Sequence, residues 1–278
     1  MELNWLESIL FGLLSGLTEI IPVSARAHSI LLHKLFGKEE GSALFLLLIH
    51  IAVFSAFYLS CQSQLVRIFR AKRLARIPKR RRKRPLDTKS LMDSSLWKTM
   101  LVPVILAYLF YGKISALESS LIWLAVLLFL NGVILYIPPF LPGSNKDSRT
   151  LTRVEGFLMG LGGALSVFPG ISGIGAAVSV GSICGVDRSY ALNMSLMMGM
   201  GISVCLIVYD VLGLVSGGIL GLTLLMLLKF LVSAVAAFCG AYLGIKIMRS
   251  LVSEVGISFF AYYCWGLALL TFVLNLMA

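Results

Sequence analysis

The sequence has little charge for its length. Only 13% of its 278 residues are charged, whereas about 25% are charged in a typical soluble domain. In contrast, 58% of the residues are hydrophobic, and the mean hydropathy is +0.93. This composition excludes an ordinary soluble enzyme and predicts a polytopic membrane protein. The length suits one membrane domain over residues 1–278, without a separate soluble domain.

Cysteines are few, and acidic residues are missing from one stretch. The five cysteines are scattered through apolar runs without a CxxC pair, which argues against a thiolate metal site or a disulfide framework. Eleven Lys or Arg and no acid lie in 67–84, and the other basic residues balance the 13 acids. Because apolar runs flank this stretch, it favours a cytoplasmic loop at 63–95 over a nucleic-acid or acidic-lipid patch. Nucleic acid is therefore not an expected partner.

Long apolar runs are abundant. A transmembrane helix needs about 20 mostly apolar residues. The sequence predicts six such helices, at 42–62, 96–112, 118–138, 190–213, 219–248 and 257–277. Two further apolar segments, 5–36 and 153–186, are each interrupted near the middle by proline and small residues. Irregular backbone at membrane depth is tolerated where it lines a buried cavity, so we interpret both segments as re-entrant helical hairpins.

The two interrupted segments resemble each other. "GLLSGLTEIIPVS" at 12–24 aligns with "GLGGALSVFPGIS" at 160–172, with a one-residue shift around the proline. Each segment precedes three predicted crossings, so repeat one spans 1–138 and repeat two spans 153–278. An odd number of crossings inverts the second copy, and inverted repeats bind ligands near the membrane midplane. We therefore predict an all-α polytopic membrane protein whose six transmembrane helices and two re-entrant hairpins form an inverted-topology repeat.

The distribution of basic residues predicts the orientation in the membrane. If segment 63–95 is cytoplasmic, alternating crossings place the basic segment 139–153 on the same side. The loops at 113–117 and 214–218 then lie outside and hold one lysine between them. Both termini are expected outside as well.

Ionisable and hydroxyl side chains surround the proline of the first break. Arg26 and His28 offer positive charge and hydrogen-bond donors to an anion, and Glu19 could hold a divalent cation or act as an acid or base. Two alternatives stay open: Glu19 and Arg26 pair only to neutralise each other, or His28 is a satisfied core histidine. His50 lies in a predicted crossing with little polar company, so we interpret it as structural.

The second break places a serine among glycines. In "FPGISGIGAAVS", Ser172 is close to Gly170, Gly173 and Gly175. Glycines beside a helix N-terminus let backbone N–H groups approach an anion, so the two breaks together predict a phosphate site at membrane depth. Alternatively, the serines of both breaks only cap the following helices, and the glycines serve helix packing. Arg188 is expected at the membrane surface, from where it could reach the site.

Both breaks carry a resemblance to one family. "GLTEIIPVSARAH" resembles the first signature of the undecaprenyl-diphosphate phosphatase family, also called the bacitracin-resistance family. "FPGISGIGAAVSVGSICGVDRSYALNMSLMMG" resembles its second signature, and the resemblance covers nearly the whole chain. It implies removal of a phosphate from a long polyprenyl diphosphate, which recycles the lipid carrier of cell-wall synthesis in the bacterial plasma membrane.

The resemblance also implies roles for individual residues. The positions that match the signatures are Glu19, Pro22, Ser24, His28, Pro169, Gly170, Ser172, Gly175 and Arg188. In that light His28 is a nucleophile or general acid/base, and Glu19 is a metal ligand or base. The candidate phosphate-binding residues are Ser24, Arg26, Ser172, Gly170, Gly173 and Arg188.

Several signature positions differ in this chain. Ser15 replaces a glutamate, Ala25 a serine, Gly173 an arginine and Ala177 a threonine. One carboxylate is therefore left for a Mg²⁺ or Ca²⁺ cofactor, which weakens that expectation. Arg26, which the signature lacks, is a hypothetical substitute for the missing arginine.

Two interpretations follow from these departures. The first is a polyprenyl-diphosphate phosphatase with an altered site. The second is a protein that keeps the fold and the cationic pocket but binds or translocates polyprenyl phosphate or another anionic lipid instead of hydrolysing it. In both cases the partners are the lipid and the bilayer, and the sequence leaves a homodimer open.

Overall fold

The structure, a computed structural model, describes residues 3–37, 41–114, 120–141, 145–217, 222–254 and 256–277. Within these ranges it is helical, and its only β-type pairing is an isolated bridge between Lys146 and Val186. The α-helices are α1 Trp5–Ile20, α2 Ala25–Leu35, α3 Ala43–Ala75, α4 Thr88–Tyr108, α5 Tyr111–Ile114, α6 Leu121–Tyr136, α7 Arg153–Ala164, α8 Gly173–Ile183, α9 Arg188–Gly217, α10 Leu224–Glu254 and α11 Phe259–Met277. The all-α prediction is confirmed.

Five helices in the described part of the chain are long and apolar enough to cross a membrane, namely α3, α6, α9, α10 and α11. They coincide with five of the six predicted crossings. The sixth, at 96–112, overlaps the second half of α4 and runs past its end at Tyr108 into α5. The first half of α4 is less apolar because it carries Lys89, Asp93 and Lys98, so this crossing stays a prediction. Parts of five predicted segments lie outside the described residues: 115–117 and 218 of the external loops, 142–144 of the basic segment 139–153, and 118–119 and 219–221 of two crossings.

Helix α3 extends well beyond its predicted crossing. It runs for 33 residues, because Ile68 and Ala71 remain buried along one face while the basic residues occupy the other. Helix α4 begins at Thr88, capped by the side chain of Asp87. The linker between these helices is therefore shorter than the 63–95 segment that we predicted.

Both interrupted segments form helical hairpins. In the first, four residues, 21–24, separate α1 from α2. In the second, α7 continues into a short 3₁₀ turn, Leu165–Val167, before the chain breaks and α8 begins. The helix–break–helix prediction is confirmed for both segments, because proline and glycine interrupt the apolar runs at these places.

The two halves of the chain pack in matching pairs. Helix α1 packs against α10 as α7 packs against α4, and α3 contacts α9 as α6 contacts α11. Exchanging α1 with α7, α3 with α9, α4 with α10 and α6 with α11 maps each of these pairs onto another pair or onto itself. The repeat, with its bounds at 1–138 and 153–278 and its inverted orientation in the membrane, stays a prediction.

Small residues bring α1 and α10 close together. A Cβ atom at Gly12 or Gly16 would collide with the carbonyl oxygen of Ser233 or Ala237, respectively. The Ser233 hydroxyl also donates to the carbonyl oxygen of Ser8 at 2.7 Å. Close backbone approach of this kind is typical of helix contacts in membranes, and it holds the first hairpin rigidly against the second half.

Candidate functional site

The two helix breaks contact each other inside the molecule. The Ser24 hydroxyl oxygen accepts a hydrogen bond from the Gly170 N–H at 3.0 Å, and it also caps α2 by accepting from the Ala27 N–H at 3.4 Å. Ser172 caps α8 in the same way, by accepting from the Gly175 N–H at 3.3 Å. Both serines are therefore caps, as one alternative held, and Ser24 additionally joins the breaks.

Ser24 has an unusual backbone. Its φ of 68° and ψ of 103° lie outside the common regions, and within the described residues it is the only non-glycine with positive φ. Such a conformation costs about 1–3 kcal/mol and is frequent at functional sites. Here it turns the chain so that the N-terminus of α2 faces the second break.

Asn131 of α6 holds both breaks. Its Nδ2 donates to the Pro22 carbonyl oxygen at 3.0 Å, and its Oδ1 accepts from the Ser172 N–H at 3.0 Å. The side chain is fully buried. Sequence analysis did not single out this residue, which is a lone asparagine in an apolar run.

We expect Asn131→Ala to destabilise the protein and to loosen the site. The Pro22 carbonyl and the Ser172 N–H would both lose their partner, and each buried unsatisfied group costs ~1–3 kcal/mol. Thermal unfolding in detergent measures the loss. The matched control is Asn193→Ala on α9, because Asn193 makes no side-chain hydrogen bond within the described residues. Equal unfolding temperatures of the two variants would contradict the role of Asn131.

A small cavity of about 40 Å³ opens beside the two breaks. The first residue of α2 and the first residue of α8 both line it, so two helix N-termini with partial positive charge converge here. Such an arrangement suits an anion. The lining residues are Thr18, Glu19, Ser24, Ala25, Arg26, His50, Tyr108, Tyr111, Ser166, Ile171, Ser172, Gly173 and Leu206.

Five of the predicted site residues line this cavity. They are Glu19, Ser24, Arg26, Ser172 and Gly173. The electrostatic neighbours of the Glu19 carboxylate include Arg26. The guanidinium carbon of Arg26 lies 4.9 Å from the centre of the buried Tyr111 ring, a cation–π contact that holds the arginine at the cavity wall. Arg26 is thus placed to bind an anion.

Hydroxyl groups from two further elements complete the wall. The Tyr108 hydroxyl lies 3.2 Å from the Ser166 hydroxyl oxygen, and Ser166 donates to the Gly163 carbonyl oxygen at 2.7 Å. Tyr108 stacks on Tyr111 with ring centres 5.3 Å apart. Sequence analysis missed these residues, because tyrosine and serine in apolar helices give no pattern that marks them as functional.

His50 has a buried partner that the interpretation from sequence overlooked. Its Nδ1 lies 2.6 Å from Oδ2 of Asp210, and the two side chains are 11% and 5% exposed. His50 was interpreted as structural with little polar company, but it lines the cavity and is an electrostatic neighbour of Glu19. A signal was present, since ionisable residues inside predicted crossings are functional candidates by default.

His28 does not line the cavity. Its Nδ1 lies 2.8 Å from the Ser24 carbonyl oxygen, and its Nε2 lies 2.7 Å from the Tyr263 hydroxyl. The imidazole also stacks on the Tyr263 ring at 5.7 Å. Both ring nitrogens therefore already have a partner in the protein. The catalytic role of His28 stays a prediction.

Gly170 and Arg188 also lie outside the cavity lining. The Gly170 N–H is donated to Ser24, and with φ of 109° a Cβ would lie 2.8 Å from the Leu127 Cβ, so the glycine serves the turn and its packing. Arg188 begins α9 and lines a separate small pocket that includes Ile257. Gly170 therefore contacts the site only through Ser24, and Arg188 lies away from the other predicted site residues.

Gly173 lines the cavity but has no room for a side chain. A Cβ there would lie 2.9 Å from the Gly163 carbonyl oxygen and 2.8 Å from the Ser166 Cβ. The resembled signature has an arginine at this position. In this chain the N-terminus of α8 instead packs directly on α7, and the guanidinium in the cavity comes from Arg26.

The donor set for a divalent cation is small. The described residues contain no group of three or more His, Cys, Asp or Glu side chains that could hold a metal ion. Glu19 is the only carboxylate in the cavity lining. Mg²⁺ is commonly bound by one or two carboxylates together with substrate phosphates. The residues present therefore fit a cation that Glu19 shares with a bound phosphate group.

The chain is similar to known proteins over nearly its whole length. The sequence profile described as Bacitracin resistance protein BacA matches residues 8–270. Undecaprenyl-diphosphatase 1 of Shouchella clausii is 28% identical over 274 residues, which cover 98% of this chain and 96% of that protein. The undecaprenyl-diphosphatases of Methanobrevibacter smithii and Carboxydothermus hydrogenoformans are 26% and 27% identical, and each alignment covers at least 96% of both chains.

Proposed function

The chain belongs to the family of the bacitracin resistance protein BacA, and from this membership we propose that it hydrolyses undecaprenyl diphosphate, or a similar polyprenyl diphosphate, to the monophosphate and inorganic phosphate. The relatives named above carry the name of that activity. The observation that supports it best is the cavity in which Glu19, Arg26 and two helix N-termini converge.

The terminal phosphate of the substrate fits the cationic side of the cavity. Arg26 can donate two parallel hydrogen bonds to phosphate oxygens. Ser24 and Ser172 accept hydrogen bonds through their oxygens, so each hydroxyl hydrogen is left to donate to the ligand. Phosphoryl transfer depends mainly on such positioning and on neutralisation of charge.

Glu19 is the carboxylate placed to act on the reaction. It lines the same cavity as Arg26, where it can share a divalent cation with the substrate. When bound, that cation would neutralise charge on the phosphates. The shared site would bind Mg²⁺ weakly in the absence of a phosphate ligand.

An apolar groove beside the cavity suits the hydrocarbon chain. The groove has a volume of about 420 Å³. Two helices contribute to both spaces, because Ile105 and Cys205 line the groove while Tyr108 and Leu206, on the same helices, line the cavity. Its walls come from α3, α4 and α9: Phe54, Tyr58, Leu65, Phe69, Trp97, Leu101, Ile105, Met200, Gly201, Val204 and Cys205. The first isoprene units of the lipid would lie in this groove.

Val204→Trp should weaken binding of long-chain substrates by filling the groove. Each buried CH₂ contributes ~0.8 kcal/mol, so losing two raises KM about tenfold. Phosphate release from a long-chain polyprenyl diphosphate and from farnesyl diphosphate, measured in detergent micelles, checks this. The matched control is Val126→Trp on α6, because Val126 is 44% exposed against 46% for Val204. An equal KM change in both variants would contradict the groove assignment.

The membrane setting follows from the helices and the charge. The chain is a multi-pass membrane protein of the plasma membrane in this proposal. We propose that the α3–α4 linker lies in the cytoplasm and both termini outside, and the basic residues after the first crossing support this orientation.

Phosphate release by the purified protein, with and without Mg²⁺ or Ca²⁺, tests the proposed function. We expect release from a long-chain polyprenyl diphosphate. If none occurs while the lipid still binds, the protein binds or translocates a lipid phosphate without hydrolysing it. The departures at Ser15, Ala25 and Gly173 are the observation that raises this second candidate function.

A further inference from the structure

The His50–Asp210 pair connects the cavity to a buried carboxylate. His50 lies on α3 and Asp210 on α9, two helices that pack against each other. The 2.6 Å contact uses Nδ1 of the imidazole, which donates to the Asp210 carboxylate. In a neutral histidine the other nitrogen, Nε2, is then an acceptor. Because His50 lines the cavity and Asp210 does not, the imidazole lies between the carboxylate and the cavity.

Burial of the His50–Asp210 pair costs desolvation energy. Both residues occur in apolar helices that are long enough to cross a membrane. Burying ionisable side chains in such segments costs a large desolvation energy, and those that occur there are usually functional. Apolar side chains would join α3 and α9 as well, and Val53 of α3 and Ile202 of α9 already belong to one buried core. The position of the pair beside the cavity therefore needs a functional reason.

The other two histidines of the chain do not line the cavity. His28 is engaged at both nitrogens, by the Ser24 carbonyl and by Tyr263. His33 is buried and packs on the Phe11 ring at 4.8 Å. Of the three histidines, all within the described residues, only His50 lines the cavity.

We propose that His50 is the catalytic base of this site and that Asp210 is its positioning residue, an inference that rests on the proposed phosphatase function. Nε2 of His50 takes a proton from the attacking water as the new bond from the water oxygen to the terminal phosphorus forms. The bond from that phosphorus to the bridging oxygen breaks, and polyprenyl phosphate leaves. The imidazolium then returns the proton to the leaving phosphate or to solvent. Asp210 fixes the tautomer and stabilises the imidazolium, as the buried aspartate does in a catalytic triad.

Kinetics of the full-length protein with a long-chain polyprenyl diphosphate test this assignment. His50→Asn keeps a donor near the position of Nδ1 for Asp210 but lacks a basic nitrogen facing the cavity. We expect kcat to fall roughly 10²–10⁴-fold, which is the range for loss of a general base, while KM changes little. In His50→Ala, kcat should fall by at least the same factor. Thermal unfolding of each variant separates loss of chemistry from loss of fold.

The test of Asp210 needs a quantity that loss of a purely structural residue would not change, namely kcat at constant KM. Asp210→Asn should lower kcat with KM retained, because an amide no longer fixes the tautomer, and Asp210→Glu should recover part of kcat. A change in stability without this split between kcat and KM would overturn the positioning role. Full activity of His50→Asn, or a loss confined to His28→Ala, would overturn the assignment of the base. Absence of phosphate release from the unmodified protein would instead overturn the proposed function, and this inference with it.

Discussion

Arg26→Ala should lower the rate of phosphate release by roughly 10³-fold or more, which is the range for loss of an arginine that stabilises a transferring phosphoryl group. The guanidinium lies at the cavity wall over Tyr111, beside the N-terminus of α8. No arginine can come from position 173, where Gly163 and Ser166 occupy the space. Under the proposed function, Arg26 is therefore the arginine that would stabilise the negative charge developing on the phosphate.

Two companion variants sharpen the Arg26 prediction. Arg26→Lys should also lose most of the rate, because an ammonium cannot form the two parallel hydrogen bonds of a guanidinium. Adding Gly173→Arg to Arg26→Ala should not recover the rate, since a side chain at 173 would force α8 away from α7. The matched control is Arg76→Ala, in the exposed linker after α3. Full activity of Arg26→Ala would end the hypothesis that Arg26 replaces the missing arginine.

Glu19→Gln should lower kcat by roughly 10²–10⁴-fold and abolish the response to Mg²⁺, because a cation held at the phosphate contributes several kcal/mol of charge stabilisation. The amide keeps the size of the carboxylate but removes its charge and its affinity for a cation. Glu7→Gln on the same helix is the control, because Glu7 belongs to the exposed capping box at the start of α1. Metal titration of phosphate release checks both effects, and an unchanged Mg²⁺ response would show that Glu19 neither holds the ion nor acts in the reaction.

The double variant Glu19→Gln/Arg26→Ala distinguishes function from simple neutralisation. If the two residues only compensate each other's charge, removing one destabilises the protein and removing both restores stability and activity. If they act on the substrate, the double variant regains stability at most and stays inactive. Unfolding temperature and rate, measured on the same samples, therefore separate the two alternatives that the sequence left open.

The class of the protein and its two hairpins followed from local features of the sequence. The length of an apolar run decides whether it can cross a membrane, and a proline or a cluster of glycines ends a helix wherever it falls. For the same reason Glu19, Arg26 and Ser172 were identified from the sequence, because residues that flank a break lie near it in any fold. The end of α3 was misplaced, because basic residues suggested a loop while buried Ile68 and Ala71 continued the helix.

Only the tertiary structure decided which polar side chains face the cavity. A helix places its residues on all sides, so the rotation of α2 sends His28 to Tyr263 while the rotation of α3 brings His50 into the cavity wall. Asp210 meets His50 across 160 positions of sequence, and Asn131 reaches both breaks from a third helix. These contacts depend on packing between distant segments, and one sequence carries no record of which distant segments pack together.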